Sequence, residues 1–331
     1  MGGNALKNTE TRRYMADEYR DLEVDVVFEL RKHITYGFQY GIVETIPAYR
    51  TKESFGEMDI LYATPLHISD EFIYDTFGSN EIVRNGDVVS FDYKMLQIDL
   101  IRSSFDAINY AKAYFSYNDL GNLIGRIAHK FGLKHGHNGL FLPVRFGTHK
   151  ATDILLTLDI RVTLDFLGLD YDRFNAGFDT LEDIFEYVAS SSYFSPDVYL
   201  FDNLNAVSRI RDRKRSTYNA FLKWCENYTG PKWIAPEDKS VFIPKILQTF
   251  NVHEEFQATM RDRAIHEIVK DKFNGEVVSL VTGLQGKQLG QMMILLKADP
   301  FFEKHVLSYM NQETIESQIK DRFELLKETL S

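Results

Sequence analysis

Cysteine is nearly missing: Cys225 stands alone among 331 residues. That excludes an internal disulfide framework and suits a reducing compartment. There is no run of about 18 apolar residues, the length a membrane-crossing helix requires. The first residues, Met-Gly-Gly-Asn-Ala-Leu-Lys-Asn-Thr-Glu-Thr-Arg-Arg, are polar and lack the apolar core of a secretory signal. Positive charge is in deficit, since 38 Lys+Arg face 48 Asp+Glu and leave a formal net charge of −10. Nucleic-acid binders draw much of their affinity from neutralised phosphates. The balance therefore argues against tight nonspecific duplex binding, while leaving room for a local basic groove. Internal repeats and low-complexity tracts are absent too. The expectation is a cytoplasmic protein with no membrane partner.

What is present is an ordinary globular composition, 44% hydrophobic and 26% charged, with 25 Phe and 18 Tyr to pack its cores. The length allows two domains. Apolar spacing predicts a helix over 11–33, with Tyr14, Leu22, Val26 and Leu30 on one stripe. Strands are expected at 38–46, 58–62 and 95–101, with a hairpin about Asn85-Gly86. Helices follow at 105–113 and 119–131, and residues 132–147 return to strand. From residue 151 helical patterns dominate, at 154–167, 181–189, 203–224, 244–272 and 303–326. The stretch 228–238, with Gly230, Pro231 and Pro236, reads as an inter-domain linker. The fold class is thus α+β: a mixed β-sheet with flanking helices over 1–171, followed by a mainly α-helical domain over 172–331.

The most informative stretch runs Pro47-Ala-Tyr-Arg-Thr-Lys-Glu-Ser-Phe-Gly-Glu-Met-Asp-Ile-Leu61. Side chains alternate along a strand, so Glu57 and Asp59 share one face while Met58 and Ile60 take the other. Like carboxylates this close repel unless a cation or protons lie between them. Hard divalent ions such as Mg2+ favour oxygen ligands and leave positions for water and phosphate. Leu96-Gln-Ile-Asp-Leu-Ile101 adds Asp99, which faces opposite to Ile98 and Leu100. Three carboxylates on two strands suit a two-metal site for in-line phosphoryl transfer. The plainer reading keeps Glu57 and Asp59 as solvent-facing residues of an amphipathic strand.

Residues 47–61 resemble the signature of family X DNA polymerases in the nucleotidyltransferase superfamily. Tyr49, Arg50, Lys52, Glu53, Gly56, Asp59 and Leu61 are retained, with one residue deleted and Glu57 in place of the first Asp. Further matches follow in the same order over roughly 42–171. Gln97-Ile-Asp-Leu100 resembles the strand with the third metal-binding Asp. Tyr114-Phe-Ser-Tyr-Asn-Asp119 resembles the motif beside the nucleotide, and Asn122 and Arg126 follow at the spacing of nucleotide- and template-side residues. The segments Gly132-Leu-Lys134, Gly139-Leu-Phe141 and Phe166-Leu-Gly-Leu-Asp170 resemble later parts of the family's palm or thumb. The resemblance implies a nucleotidyltransferase palm whose Glu57, Asp59 and Asp99 hold Mg2+ or Mn2+. It also implies a nucleoside triphosphate held by Arg50, Lys52, Gly56, Tyr114, Phe115, Asp119, Asn122 and Arg126, and a DNA or RNA 3′ end as acceptor. The family's Gly-Ser, which helps hold the triphosphate, is here Pro47-Ala48. Proline has no amide donor and alanine no hydroxyl, and Thr51 replaces one of the paired arginines. A catalytically silent palm acting as a binding module therefore stays open. So do plainer roles: core packing for Tyr114 and Phe115, an N-cap at Asn118 or Asp119, and a solvated pair at Asn122 and Arg126.

One dense basic cluster, Ser208-Arg-Ile-Arg-Asp-Arg-Lys-Arg215, shares its expected helix with Lys223. Its Arg209, Arg211, Arg213, Lys214 and Arg215 are candidates for a nucleic-acid backbone or for a solvated face. His135 and His137 share a strand face but lack a clear third ligand, so they read as exposed or structural histidines. Residues 273–290 resemble a segment of tRNA nucleotidyltransferases (CCA-adding enzymes) and bacterial poly(A) polymerases, which keeps RNA 3′-end tailing open. There Gly286 and Gly290 are expected to let turn and helix approach a neighbour closely.

Overall fold

A computed structural model of the chain describes residues 5–34, 40–145, 151–299, 302 and 310–327. Its strands are β1 (Tyr14–Met15), β2 (Ile42–Thr45), β3 (Ser54–Phe55), β4 (Glu57–Ala63), β5 (Ile82–Asn85), β6 (Val88–Tyr93), β7 (Leu96–Arg102), β8 (Lys134–Gly136), β9 (Gly139–Val144) and β10 (Thr152–Thr157). Its helices are α1 (Ala16–Ile34), α2 (Asp70–Phe77), α3 (Ile108–Phe115), α4 (Leu120–Lys130), α5 (Ile160–Phe166), α6 (Tyr171–Ala176), α7 (Leu181–Ala189), α8 (Ala206–Asp212), α9 (Ser216–Cys225), α10 (Ile243–Phe250), α11 (His253–Lys272), α12 (Gly275–Thr282), α13 (Gly286–Ala298) and α14 (Gln312–Leu326). The fold is mixed α+β, strand-rich early and helical later.

The chain groups into two compact units, residues 1–142 with 155–250 and residues 143–154 with 251–331. In the first, a five-stranded sheet runs β2-β4-β7-β6-β5, with β4 and β7 parallel and the other neighbours antiparallel. Alternation divides its two faces. Met58, Ile60, Val89, Phe91, Ile98 and Leu100 lie in a core shared with Leu22, Val26 and Leu30 of α1. On the opposite face, Leu61, Ala63 and Ile101 pack with Ile108 and Ala111 of α3. That second face is apolar at one end and carries Glu57, Asp59, Gln97 and Asp99 at the other. The second unit has its own core around Phe273, Val278, Met292, Leu296, Phe302, Ile315 and Ile319.

Several sequence expectations need correction. Residues 154–167 divide into the end of β10 and α5, because Asp159 caps α5 by accepting from Arg161 N. The helix expected over 203–224 breaks into α8 and α9, so Lys223 is on a different helix from the basic cluster. That expected over 244–272 breaks at Asn251, whose φ is 54°. Residues 35–39, 146–150 and 303–309 of the expected elements lie outside the described residues. The stretch read as a linker is packed inside the first unit, where Trp233 stacks on Phe131 and donates its backbone N–H to Phe194 O at 2.7 Å. A Cβ on Gly286 or Gly290 would meet nothing within 4 Å, so neither makes a close approach, although Gly286 does use a left-handed φ of 54°. Among the described residues no helix is long and apolar enough to cross a membrane.

Tyr114 and Phe115 end α3 and stand just before α4, into which the chain reverses through Tyr117 and Asn118, with φ of 59° and 62°. A Cβ on Gly121 would come within 2.1 Å of Tyr114 O, so only glycine lets α4 pass the end of α3. Gly121→Ala is expected to lower stability by about 1–3 kcal/mol through overpacking. Chemical denaturation checks this, and an unchanged midpoint would show the corner to be slack.

Candidate active site

Register brings the carboxylates together. Asp59 is the cross-strand partner of Asp99, Glu57 of Gln97, and on the far side of β7 Ser90 pairs with Asp99 and Asp92 with Gln97. Partners in a ladder share a face, so Glu57, Asp59 and Asp99 project from the same side of two adjacent parallel strands. Asp99 is buried, and Glu57 and Asp59 are half-buried. Burial first, then the charge of Asp59, pushes the Glu57 carboxyl well above its ordinary value. Burial and then Asp99 do the same to Asp59, and burial raises Asp99 against hydrogen bonds from Ser90 and Gln97.

A nearby carboxylate shows what a structural role looks like. Asp92 is 3% exposed and accepts from Ser79 Oγ, Asn80 N, Asn80 Nδ2 and Glu81 N at 2.7–3.0 Å. Burial opposes its ionisation, yet these donors hold it below the usual carboxylate range. Asp59 Oδ1, by contrast, is buried with no hydrogen-bond partner. A buried acceptor left so costs about 1–3 kcal/mol, and a hard cation is the chemistry that relieves it. Asp99 is engaged differently: the Gln97 Nε2–H group donates to both its oxygens, at 2.9 and 3.1 Å. Among the described residues no three His, Cys, Asp or Glu side chains converge closely enough to hold one metal ion. The backbone thus assembles the acidic positions, while Gln97 holds the third carboxylate.

The loop before β4 carries the basic residues. Lys52 Nζ lies 4.4 Å from the centroid of the Phe55 ring and donates to Asn118 Oδ1 at 3.2 Å. Burial lowers its pKa, and the nearby charges of Glu57 and Asp59 oppose that. Arg50 is turned elsewhere: it pairs with Asp179 at 2.5 Å and donates to Ala176 O. Backbone bonds from Arg50 and Thr51 to Phe178 and Asp179 fasten the loop there, and Tyr117 N donates to Pro47 O at 2.8 Å. A Cβ on Gly56 would meet Arg13 Nη1 at 2.8 Å. Arg13, unremarked in the sequence, also donates to Ser54 O and Oγ.

The residues expected on the nucleotide face form a closed network. Asp119 occupies the N-cap position of α4 without capping it and instead pairs with Arg215. Arg126 is buried against Asp212, which is itself fully buried and also held by Arg211 Nε at 2.9 Å. Arg211 reaches Asn122 Oδ1 at 2.8 Å. Arg209 donates to Phe201 O and Leu204 O, and Arg213 lies 5.5 Å from the Phe201 ring centroid, with Lys214 exposed. The cluster's arginines are therefore largely engaged inward. Its one interrupting carboxylate, Asp212, was the available signal. Tyr114 packs edge-on to His135, and Phe115 stacks on His137 at 5.5 Å.

His135 Nδ1 lies 3.1 Å from Gly121 O, and its Nε2 is buried without a partner. Burial pushes its pKa down to about 4. A depressed imidazole favours the fold while neutral, so its contribution is lost as pH falls from the unfolded value near 6.5 through about 4. Stability is expected to drop by roughly 3 kcal/mol over that window. His135→Phe should flatten that part of the pH–stability curve, and an equal slope in both proteins would refute it.

Comparison with known proteins adds a distant likeness. Two solved structures of Leishmania infantum polymerase beta, a ternary P/T complex and a ternary gap complex, are similar to 48% of this chain. The alignments cover 74% and 69% of those chains at 12% identity, with TM-scores of 0.37 and 0.38. No family model and no curated protein matches.

Proposed function

We propose that the chain is a divalent-metal-dependent nucleotidyltransferase that moves a nucleoside monophosphate from a nucleoside triphosphate to a nucleic-acid 3′ end. The observation that carries this is the pairing of Asp59 with Asp99 on parallel strands, with Glu57 on the same face and Asp59 Oδ1 buried and unsatisfied. The resemblance of residues 42–171 to family X polymerases supports it. Glu57 and Asp59, joined by Asp99, would hold Mg2+ or Mn2+. Bound there, the ion would supply Lewis-acid stabilisation of charge at the transferring phosphorus. Lys52, beside the carboxylates, would meet the triphosphate, with Gly56 keeping the backbone accessible. Residues 1–171 would supply the palm and nucleotide site. Residues 172–331 would supply the helical part, with Arg213 and Lys214 as the outward cations for an acceptor.

A second reading, a silent palm that binds without transferring, is favoured by Pro47-Ala48 and by the engagement of Arg50 with Asp179. RNA 3′-end tailing is separated from DNA synthesis by the acceptor. The test incubates the protein with Mg2+ or Mn2+, labelled nucleotides and a panel of DNA and RNA primers, beside Asp59→Asn. Extension that disappears in the variant supports transfer and names the acceptor. Metal-dependent nucleotide binding with no extension on any primer would favour the silent palm.

A further inference from the structure

The N-terminal segment is fastened across the acidic end of the sheet by a short chain of hydrogen bonds. Ala5 N donates to Gln97 Oε1 at 3.1 Å, and the other end of the same carboxamide donates to both Asp99 oxygens. Three consecutive backbone N–H groups, on Lys7, Asn8 and Thr9, converge on the Glu81 carboxylate at 2.9–3.1 Å. Further along, Arg12 N donates to Met95 O, and Tyr14 and Met15 pair with Phe55 and Ser54 beside β4.

A carboxamide has one acceptor end and one donor end. With Ala5 N–H on its oxygen, the Gln97 side chain must present its NH2 to Asp99. That orientation, with the hydrogen bond from Ser90, stabilises Asp99 where it stands and competes with a cation for its oxygens. We infer that residues 5–9 form a strap that, through Gln97 as a positioning residue, restrains Asp99 from joining Glu57 and Asp59 as a metal ligand. This rests on the metal-dependent reading above. Of the three Glu81 bonds those from Lys7 and Asn8 are solvent-exposed and that from Thr9 is part-buried, so the strap opens at modest cost. Once Ala5 leaves, the carboxamide can turn its NH2 group away, and Asp99 is released. Metal binding and strap docking are then linked and mutually opposed.

The test measures Mn2+ affinity of the 331-residue chain by titration calorimetry and by the loss of the free-ion electron paramagnetic resonance signal. Gln97→Met keeps the side-chain length and removes the amide, and it is expected to tighten Mn2+ binding about tenfold. Ala5→Pro removes the N–H donor and fixes φ there, and Glu81→Ala removes the tether. Each is expected to tighten binding several-fold in the wild-type background and to add nothing in the Gln97→Met background, a non-additivity that mere loosening of the fold would not produce. Wild-type binding with no gain in Gln97→Met would overturn the strap alone, as would gains from Glu81→Ala that persist in the double variant. No Mn2+ binding by wild type or by Gln97→Met would overturn the metal-dependent reading and the strap together.

Discussion

Asp59→Asn is expected to abolish nucleotide transfer while making the metal-free protein more stable. The two effects have opposite signs because one carboxylate is responsible for both. Asp59 Oδ1 is buried without a hydrogen-bond partner, and burial together with Asp99 raises its pKa. A carboxyl whose folded pKa is raised supports the fold fully only below its unfolded value, near 3.8. That support is lost as pH rises through the folded value. At pH 8 the ionised group therefore opposes folding, and the neutral amide does not. In the presence of a chelator the variant should exceed wild type by about 1–3 kcal/mol, with the margin shrinking toward pH 4. Added Mn2+ should stabilise wild type and leave the variant nearly unmoved. Loss of one metal-holding carboxylate should lower transfer by about a thousand-fold or more. A variant that retains transfer, or that is less stable than wild type at pH 8 without metal, would remove Asp59 from the role assigned to it.

Asp212→Ala is expected to destabilise the protein by about 3–5 kcal/mol, because it strips the partner from a buried charge. Asp212 is fully buried, and Arg126 is only 9% exposed beside it. Arg211 Nε at 2.9 Å and Arg215 Nε at 3.9 Å also bear on the same carboxylate. Without Asp212 the buried Arg126 guanidinium loses its ion-pair partner. Burying two apolar side chains of similar volume avoids that penalty, so Arg126→Met combined with Asp212→Leu should recover most of the lost stability. Urea denaturation of the single and double variants measures the difference. If Asp212→Ala costs under about 1 kcal/mol, the network is a surface arrangement with little energetic weight. The network also bears on recognition: Asp119, Asn122 and Arg126 are engaged with α8 and α9-proximal residues, so a ligand approaching α4 must compete with Arg211, Arg215 and Asp212.

The carboxylate row was legible in the sequence for a simple reason. Strand alternation has a period of two, so Glu57-Met-Asp59 and Gln97-Ile-Asp99 declare which residues share a face before any pairing is known. The hairpin was legible too, although the turn proper is Gly86-Asp87, one residue later than expected, since Asn85 still pairs with Val88. Long helices were less secure. Apolar spacing continues across 203–224 and 244–272, but the chain breaks where Arg215 N–H bonds to Asp212 O and where Asn251 adopts a left-handed φ. Local caps and turns, which spacing does not register, set those breaks.

The sequence alone determined the α+β class, the opposing faces of β4 and β7, and the acidic end of one of them, because all three follow from local periodicity. Tertiary structure decided the partners. Only the parallel β4–β7 register sets Asp59 against Asp99, and only the approach of residues 5–9 turns Gln97 toward it. Likewise, the basic cluster reads as outward charge until α8 packs near α4 and buries Asp212 among its arginines. Such partners lie some 86–96 residues apart in the chain, and no local pattern encodes a contact made across that distance.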